Sequence, residues 1–149
     1  MSASTATPIR ILLVDDQPAL LWGLELLITG ESPRMVAVGK ASCGFTALRL
    51  ATETQPDVIL LDLDLAGELS LDFLPELLRL SPARVVIFTG VHDGALHERA
   101  LRDGACGVVR KEESAEILLQ AIARAHQSHV GTHKDESPHH LGDSGAVAL

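Results

Sequence analysis

Residues 56–67 read PDVILLDLDLAG: a proline and an aspartate, then the unbroken apolar run Val58 to Leu61, then two carboxylates, Asp62 and Asp64. Four apolar residues behind a turn signal are strand-sized, and an unbroken run, unlike an alternating one, suits a strand buried on both faces. Such strands belong to parallel sheets covered by helices. Outward from this stretch the arrangement repeats, with strands expected at Arg10 to Val14, Met35 to Lys40, Arg84 to Phe88 and Gly107 to Val109. Between them apolar residues recur at helical spacing: Leu20, Leu24, Leu27 and Ile28; Ala47, Leu48 and Ala51; Leu74, Leu77 and Leu78; Leu96, Ala100 and Leu101; Ile117, Leu118, Ala121 and Ile122. Five strand–helix pairs predict an α/β protein with a parallel sheet.

Local punctuation agrees. Gln17-Pro18 puts a proline in the first turn of a helix, Gln55-Pro56-Asp57 interrupts the chain before the third strand, and Ser114 can cap the last helix. No internal repeat is visible. After Gln127 the pattern gives way to SHVGTHKDESPHHLGDSGAVAL, rich in Ser, Gly, His and charge. One domain over residues 9–127 and a flexible linker or tail over 128–149 are expected.

Composition narrows the function classes. The chain has 149 residues, 46% of them hydrophobic, which suits one compact soluble domain. No apolar run approaches the roughly 18 residues of a membrane span, and the N-terminus MSASTATPIR lacks the features of a signal peptide, so a cytoplasmic location and no membrane partner are expected. A net charge of −8 without a Lys/Arg cluster argues against nucleic-acid binding by this segment. Cys43 and Cys106 read as two buried thiols without function. His126, His129, His133, His139 and His140 lack a compact zinc-type motif and read as solvated side chains, while Trp22 reads as core or rim of the first helix.

In an open parallel sheet, ligands gather at the carboxyl ends of the strands. Asp15 and Asp16 follow the first strand, Asp62 the third, Thr89 the fourth, and Lys111 lies just past the fifth. Clustered carboxylates repel and raise one another's pKa unless a cation neutralises them, and an oxygen-only donor set favours Mg²⁺. With a divalent ion present, one carboxylate can attack phosphorus while a lysine and a hydroxyl stabilise the phosphoryl oxygens. Any one of these residues alone would read as a cap, a turn or a surface charge; five suitable types at successive strand ends point to phosphoryl transfer.

Through ILLVDD, PDVILLDLDLAG, VVIFTG and GACGVVRKE, the sequence resembles the response-regulator receiver family over residues 9–127. The resemblance implies a flavodoxin-like doubly wound sheet of five strands in the order 2-1-3-4-5 with five helices. It implies that Asp62 is the phosphorylated aspartate, Asp16 the direct metal ligand, Asp15 the holder of metal-bound water, and the Asp64 backbone carbonyl a further metal ligand. Thr89 and Lys111 would contact the phosphoryl group. The protein would then be a signalling switch, not an enzyme, phosphorylated by a sensor histidine kinase or phosphotransfer protein. A homodimer through the fourth helix, fifth strand and fifth helix is also implied.

An acidic residue, Glu112, follows the lysine where other branches carry proline, which resembles the NarL/FixJ branch, whose members add a LuxR-type DNA-binding domain absent from this chain. Three positions depart from the family pattern. Val108 stands where Tyr, Phe or His is usual, Ala66 where proline is common, and Asp64 places an acid two residues beyond the acceptor. These touch signal output and dephosphorylation rate. Two other classes compete: a haloacid-dehalogenase-like phosphohydrolase, suggested by Asp62-Leu63-Asp64, and a phosphorylation-independent pseudo-receiver acting as an interaction module. The double aspartate lies before the Asp-x-Asp and not near the chain's end, which disfavours the first; the intact acceptor, metal and lysine positions disfavour the second.

Overall fold

The computed structural model describes residues 7–131, without the side chains of 128–131. In chain order the strands are β1 (Ile9–Val14), β2 (Met35–Ala41), β3 (Val58–Leu61), the short β4 (Asp64–Leu65) and β5 (Glu68–Leu69), β6 (Arg84–Thr89) and β7 (Gly107–Arg110). Five of them form one sheet in the order β2-β1-β3-β6-β7, every pairing parallel. The order is the flavodoxin-like one, and each expected strand lies within one residue of its observed bounds. Five helices connect the strands: α1 (Pro18–Thr29), α2 (Gly44–Thr54), α3 (Leu74–Leu80), α4 (Gly94–Arg102) and α5 (Ala115–Gly131).

The central strands explain why their sequences are apolar without interruption. Leu12 and Val14 of β1, Ile59 and Leu61 of β3, and Val85 and Ile87 of β6 turn to one face, where Ala47 and Ala51 of α2, Leu74 and Leu77 of α3 and Ala100 of α4 cover them. Their neighbours Ile11, Leu13, Val58, Leu60, Val86 and Phe88 turn to the other, under Leu21, Leu24 and Ile28 of α1 and Leu118, Ala121 and Ile122 of α5. Successive side chains alternate across the sheet, so a strand with helices on both sides has no position for a polar residue until it leaves the sheet.

The expected caps are present in substance. Pro18 occupies the first turn of α1, and Ser114 Oγ accepts from the Ile117 N–H at 3.2 Å. Asp93 caps α4 through the N–H groups of Ala95 and Leu96.

Several expectations need correction. Trp22 is neither core nor rim: 64% of it is exposed, as is 57% of Leu26 one turn later. Helix α1 is apolar almost all round, PALLWGLELLIT, so its periodicity does not reveal which face meets the sheet. The cysteines are half-buried and not fully so; burial pushes the Cys106 thiol up, while hydrogen bonding to Thr46 pulls the Cys43 thiol down. Helix α5 runs to Gly131, past the Gln127 boundary expected for the domain; the rest of the expected tail, with His133, His139 and His140, lies outside the described residues, as does the side chain of His129.

The segment after Asp62 was not foreseen as a structured element. There β4 pairs antiparallel with β5 as a hairpin joined by two residues, followed by a 3-10 turn at Ser70–Asp72. The connecting residues, Ala66 (φ 55°) and Gly67 (φ 94°), both have positive φ, the geometry that two-residue hairpins favour.

Candidate functional site

The carboxyl edge of the sheet is built by backbone bonds that continue past the strands. The Asp15 N–H donates to the Ala41 carbonyl (3.0 Å), the Asp62 N–H to the Val14 carbonyl (3.1 Å) and the Lys111 N–H to the Thr89 carbonyl (2.8 Å). Each residue is thereby fixed in register with its neighbouring strand just where its side chain leaves the core. Asp15 and Asp62 are 2% and 4% exposed and Thr89 is fully buried.

Asp15, Asp16 and Asp62 each bring a carboxylate oxygen within 4.8 Å of the others'. Lys111 Nζ lies 2.7 Å from Asp15 Oδ2 and 2.9 Å from Asp62 Oδ2, bridging the ends of β1 and β3. One ammonium among three carboxylates leaves the cluster short of positive charge. Burial pushes the Asp15 carboxyl up, and the neighbouring Asp62 adds to this, against the opposing bonds from Lys111 and the Gln17 N–H. For Lys111, burial is the largest single influence and acts downward, yet the hydrogen bonds and charges of Asp15 and Asp62 together outweigh it and hold the ammonium above its ordinary value. A buried, oxygen-only, electron-rich donor set of this kind fits a hard divalent cation such as Mg²⁺.

Asp64 is exposed, and its Oδ1 accepts from the Gly67 N–H at 2.8 Å, closing the hairpin turn. Its carboxylate is not among the three that gather at the sheet edge. Leu65 and Glu68 close the turn and the Ser70 N–H donates to the Leu63 carbonyl, so Asp64 and Leu69 are the non-hydrogen-bonded pair between them and the Asp64 carbonyl points away from β5.

Thr89 reaches the same edge, but its Oγ1 accepts from the Val91 N–H (3.0 Å) and makes no hydrogen bond to Asp62. Val108 is half-buried and, like Val91 and Leu96, packs against the core cluster that includes Ala100 of α4. Sequence reading missed the side chains that brace the loops. His92 Nε2 lies 3.1 Å from Glu112 Oε2, joining the β6–α4 loop to the β7–α5 loop, and the Glu68 carboxylate accepts from the Gly44 N–H (3.0 Å), tying the hairpin to the start of α2. A Cβ on Gly44 would lie 2.5 Å from Glu68 Oε2 and 2.8 Å from the Phe73 ring, so that position has room only for glycine.

The family profile of the response regulator receiver domain matches residues 11–123. This chain belongs to the response regulator receiver domain family. It is 37% identical over 123 residues to the nitrate/nitrite response regulator protein NarL of Escherichia coli, an alignment covering 82% of this chain and 56% of that protein. It is 33% identical to the response regulator GacA of Pseudomonas aeruginosa, covering 76% of this chain and 53% of the relative. The chain thus spans about half the length of the curated relatives it matches.

Among solved structures, the signal receiver domain of the NarL-type regulator of Mycobacterium tuberculosis superposes with TM-score 0.75 at 25% identity, covering 82% of this chain and 98% of that one. A LuxR-family response regulator from Aurantimonas matches with TM-score 0.75 at 32% identity, over 82% of this chain and 87% of that one. The receiver therefore sits among NarL- and LuxR-type regulators, as the residue after Lys111 indicated, and its class is that of signalling switches and not of classical enzymes. No helix among the described residues is long and apolar enough to cross a membrane.

Proposed function

We propose that this receiver takes a phosphoryl group onto Asp62 from the phosphohistidine of a sensor kinase or phosphotransfer protein, in the cytoplasm. The observation that carries the reading is the Asp15–Asp16–Asp62 cluster bridged by Lys111. In the transfer, an Asp62 carboxylate oxygen bonds to phosphorus as the P–N bond breaks and its electron pair returns to the imidazole. Asp15, Asp16, Asp62 and the Asp64 carbonyl would hold Mg²⁺, which when bound supplies positive charge to the phosphoryl oxygens. Lys111, already 2.9 Å from Asp62 Oδ2, supplies charge on the other side, and the Thr89 hydroxyl donates a hydrogen bond once it turns toward the group. The receiver's own residues thus catalyse their phosphorylation and its reversal.

The output of the full-length protein would be transcriptional control through a LuxR-type DNA-binding domain outside this chain, with the face formed by α4, β7 and α5 as the dimer contact. Incubation with a small phosphoramidate donor and intact-mass analysis tests the reading. One labile phosphate is expected with Mg²⁺ and none with a chelator or in Asp62→Asn. Phosphate persisting on Asp62→Asn overturns the assignment.

A further inference from the structure

The loop between Thr89 and α4 is held by a chain of bonds through one residue. The Val91 N–H donates to Thr89 Oγ1 (3.0 Å), and the Val91 carbonyl accepts from His97 Nε2 (2.6 Å). A carbonyl has no proton to give, so the His97 ring carries its hydrogen on Nε2. Both polar atoms of Val91 are therefore committed, one to the hydroxyl at the end of β6 and the other to a ring near the start of α4. The helix offers little other anchorage: Ala100 is its single buried residue, and Leu96 and His97 are half-buried.

Thr89 is fully buried and its hydroxyl oxygen accepts from the Val91 N–H, with no hydrogen bond to Asp62. Accepting from the Val91 N–H leaves the Thr89 O–H free to donate, but any displacement of Oγ1 toward a group bound at Asp62 breaks the Val91 bond or draws Val91 along with it. The first loses one hydrogen bond, and the second pulls on the bond to His97. Either way, the firmness with which His97 fixes Val91 sets how readily Thr89 turns.

We infer that His97 is a positioning residue for the Thr89 hydroxyl, acting through the Val91 peptide to hold the hydroxyl in its resting orientation. This rests on the reading of Asp62 as the phosphoryl acceptor. It differs from the His92–Glu112 pair, which is exposed on both sides and braces the same loop only from outside.

The test compares the full chain with His97→Phe, which removes the donor, and His97→Gln, whose amide reaches a similar distance and restores it, each also in a Thr89→Ala background. Two quantities are read: the dissociation constant for beryllofluoride with Mg²⁺, and the hydrogen-exchange rate of the Val91 amide without it. His97→Phe is expected to bind beryllofluoride about three- to tenfold more tightly, the equilibrium worth of one hydrogen bond, and to speed Val91 exchange by about the same factor. His97→Gln should match the native chain on both counts. With Thr89→Ala in place, His97→Phe should change beryllofluoride affinity less than about twofold.

If the native chain binds no beryllofluoride, the acceptor reading fails and this inference with it. If the native chain binds and His97→Phe leaves affinity and Val91 exchange unchanged, only the role of His97 is overturned. That role is equally overturned if His97→Phe acts to the same extent with and without Thr89, because a merely structural residue would not need the hydroxyl.

Discussion

The connection leaving β1 and the connection leaving β6 stand at the same sheet edge and are held in different ways. After β1, Asp15 is tied to β2 through its backbone, its Oδ1 accepts from the Gln17 N–H at 2.9 Å, and α1 then sinks Leu21, Leu24 and Ile28 into the core. After β6, Thr89 hands the chain to a loop held by Thr89–Val91, Val91–His97 and His92–Glu112, and α4 buries one alanine. On the function proposed above, the carboxylates that would meet a cation and a phosphoryl group sit where the core fixes them. The hydroxyl that would turn toward that group sits where side-chain bonds, worth at most about 1 kcal/mol each, do the holding. The two strand ends of one sheet thus differ in how they are anchored, and lower local stability is expected at the second, as switching elements require.

Truncation on either side should expose this division. Leu24 of α1, 5% exposed, should cost about 2–5 kcal/mol when changed to Ala, through lost burial and the cavity left behind. Leu96→Ala, on half-buried α4, should cost about 1 kcal/mol or less. Denaturant midpoints measure both, and equal losses would erase the distinction.

A smaller effect comes from the charge imbalance. Burial and Asp62 raise the Asp15 carboxyl, so the folded state disfavours its ionised form; without metal, its contribution to stability is greatest below the ordinary carboxylate range and falls as pH rises from that range through the raised value. Lys111 is raised too, and its contribution is complete below its ordinary value and lost as pH rises through the higher folded one. Asp15→Asn should therefore stabilise the metal-free chain at neutral pH and flatten the fall on the acid side. Mg²⁺ at tenfold over its dissociation constant should stabilise the native chain by about 1.4 kcal/mol and the variant by less. Thermal unfolding across pH, with and without Mg²⁺, checks each sign.

Much of this architecture was legible in the sequence because buried parallel strands leave little latitude: an unbroken apolar run ends where the core ends, and the next residue is at the edge. Asp15 and Asp62 are read in that way, and Lys111, two residues past the fifth run, meets both acids. What escaped depended on contacts that no periodicity encodes. The hairpin turns on Ala66-Gly67, and an alanine at φ 55° lacks the Asn-Gly or Asp-Gly mark of such turns. The exposure of Trp22 was hidden by a helix apolar on most sides. The His97–Val91 bond joins residues six apart across a loop and a helix cap, a spacing that belongs to neither.

Native-state hydrogen exchange on the full chain, with Mg²⁺ and with or without beryllofluoride, tests the division between fixed acids and adjustable hydroxyl most directly. The amides of Asp15 and Asp62 should exchange slowly in both states, while those of Val91 and the first turn of α4 should exchange faster at rest and change protection when the phosphoryl mimic binds. Equal loosening at Asp15 and Asp62, or no change at Val91 despite bound beryllofluoride, would contradict it.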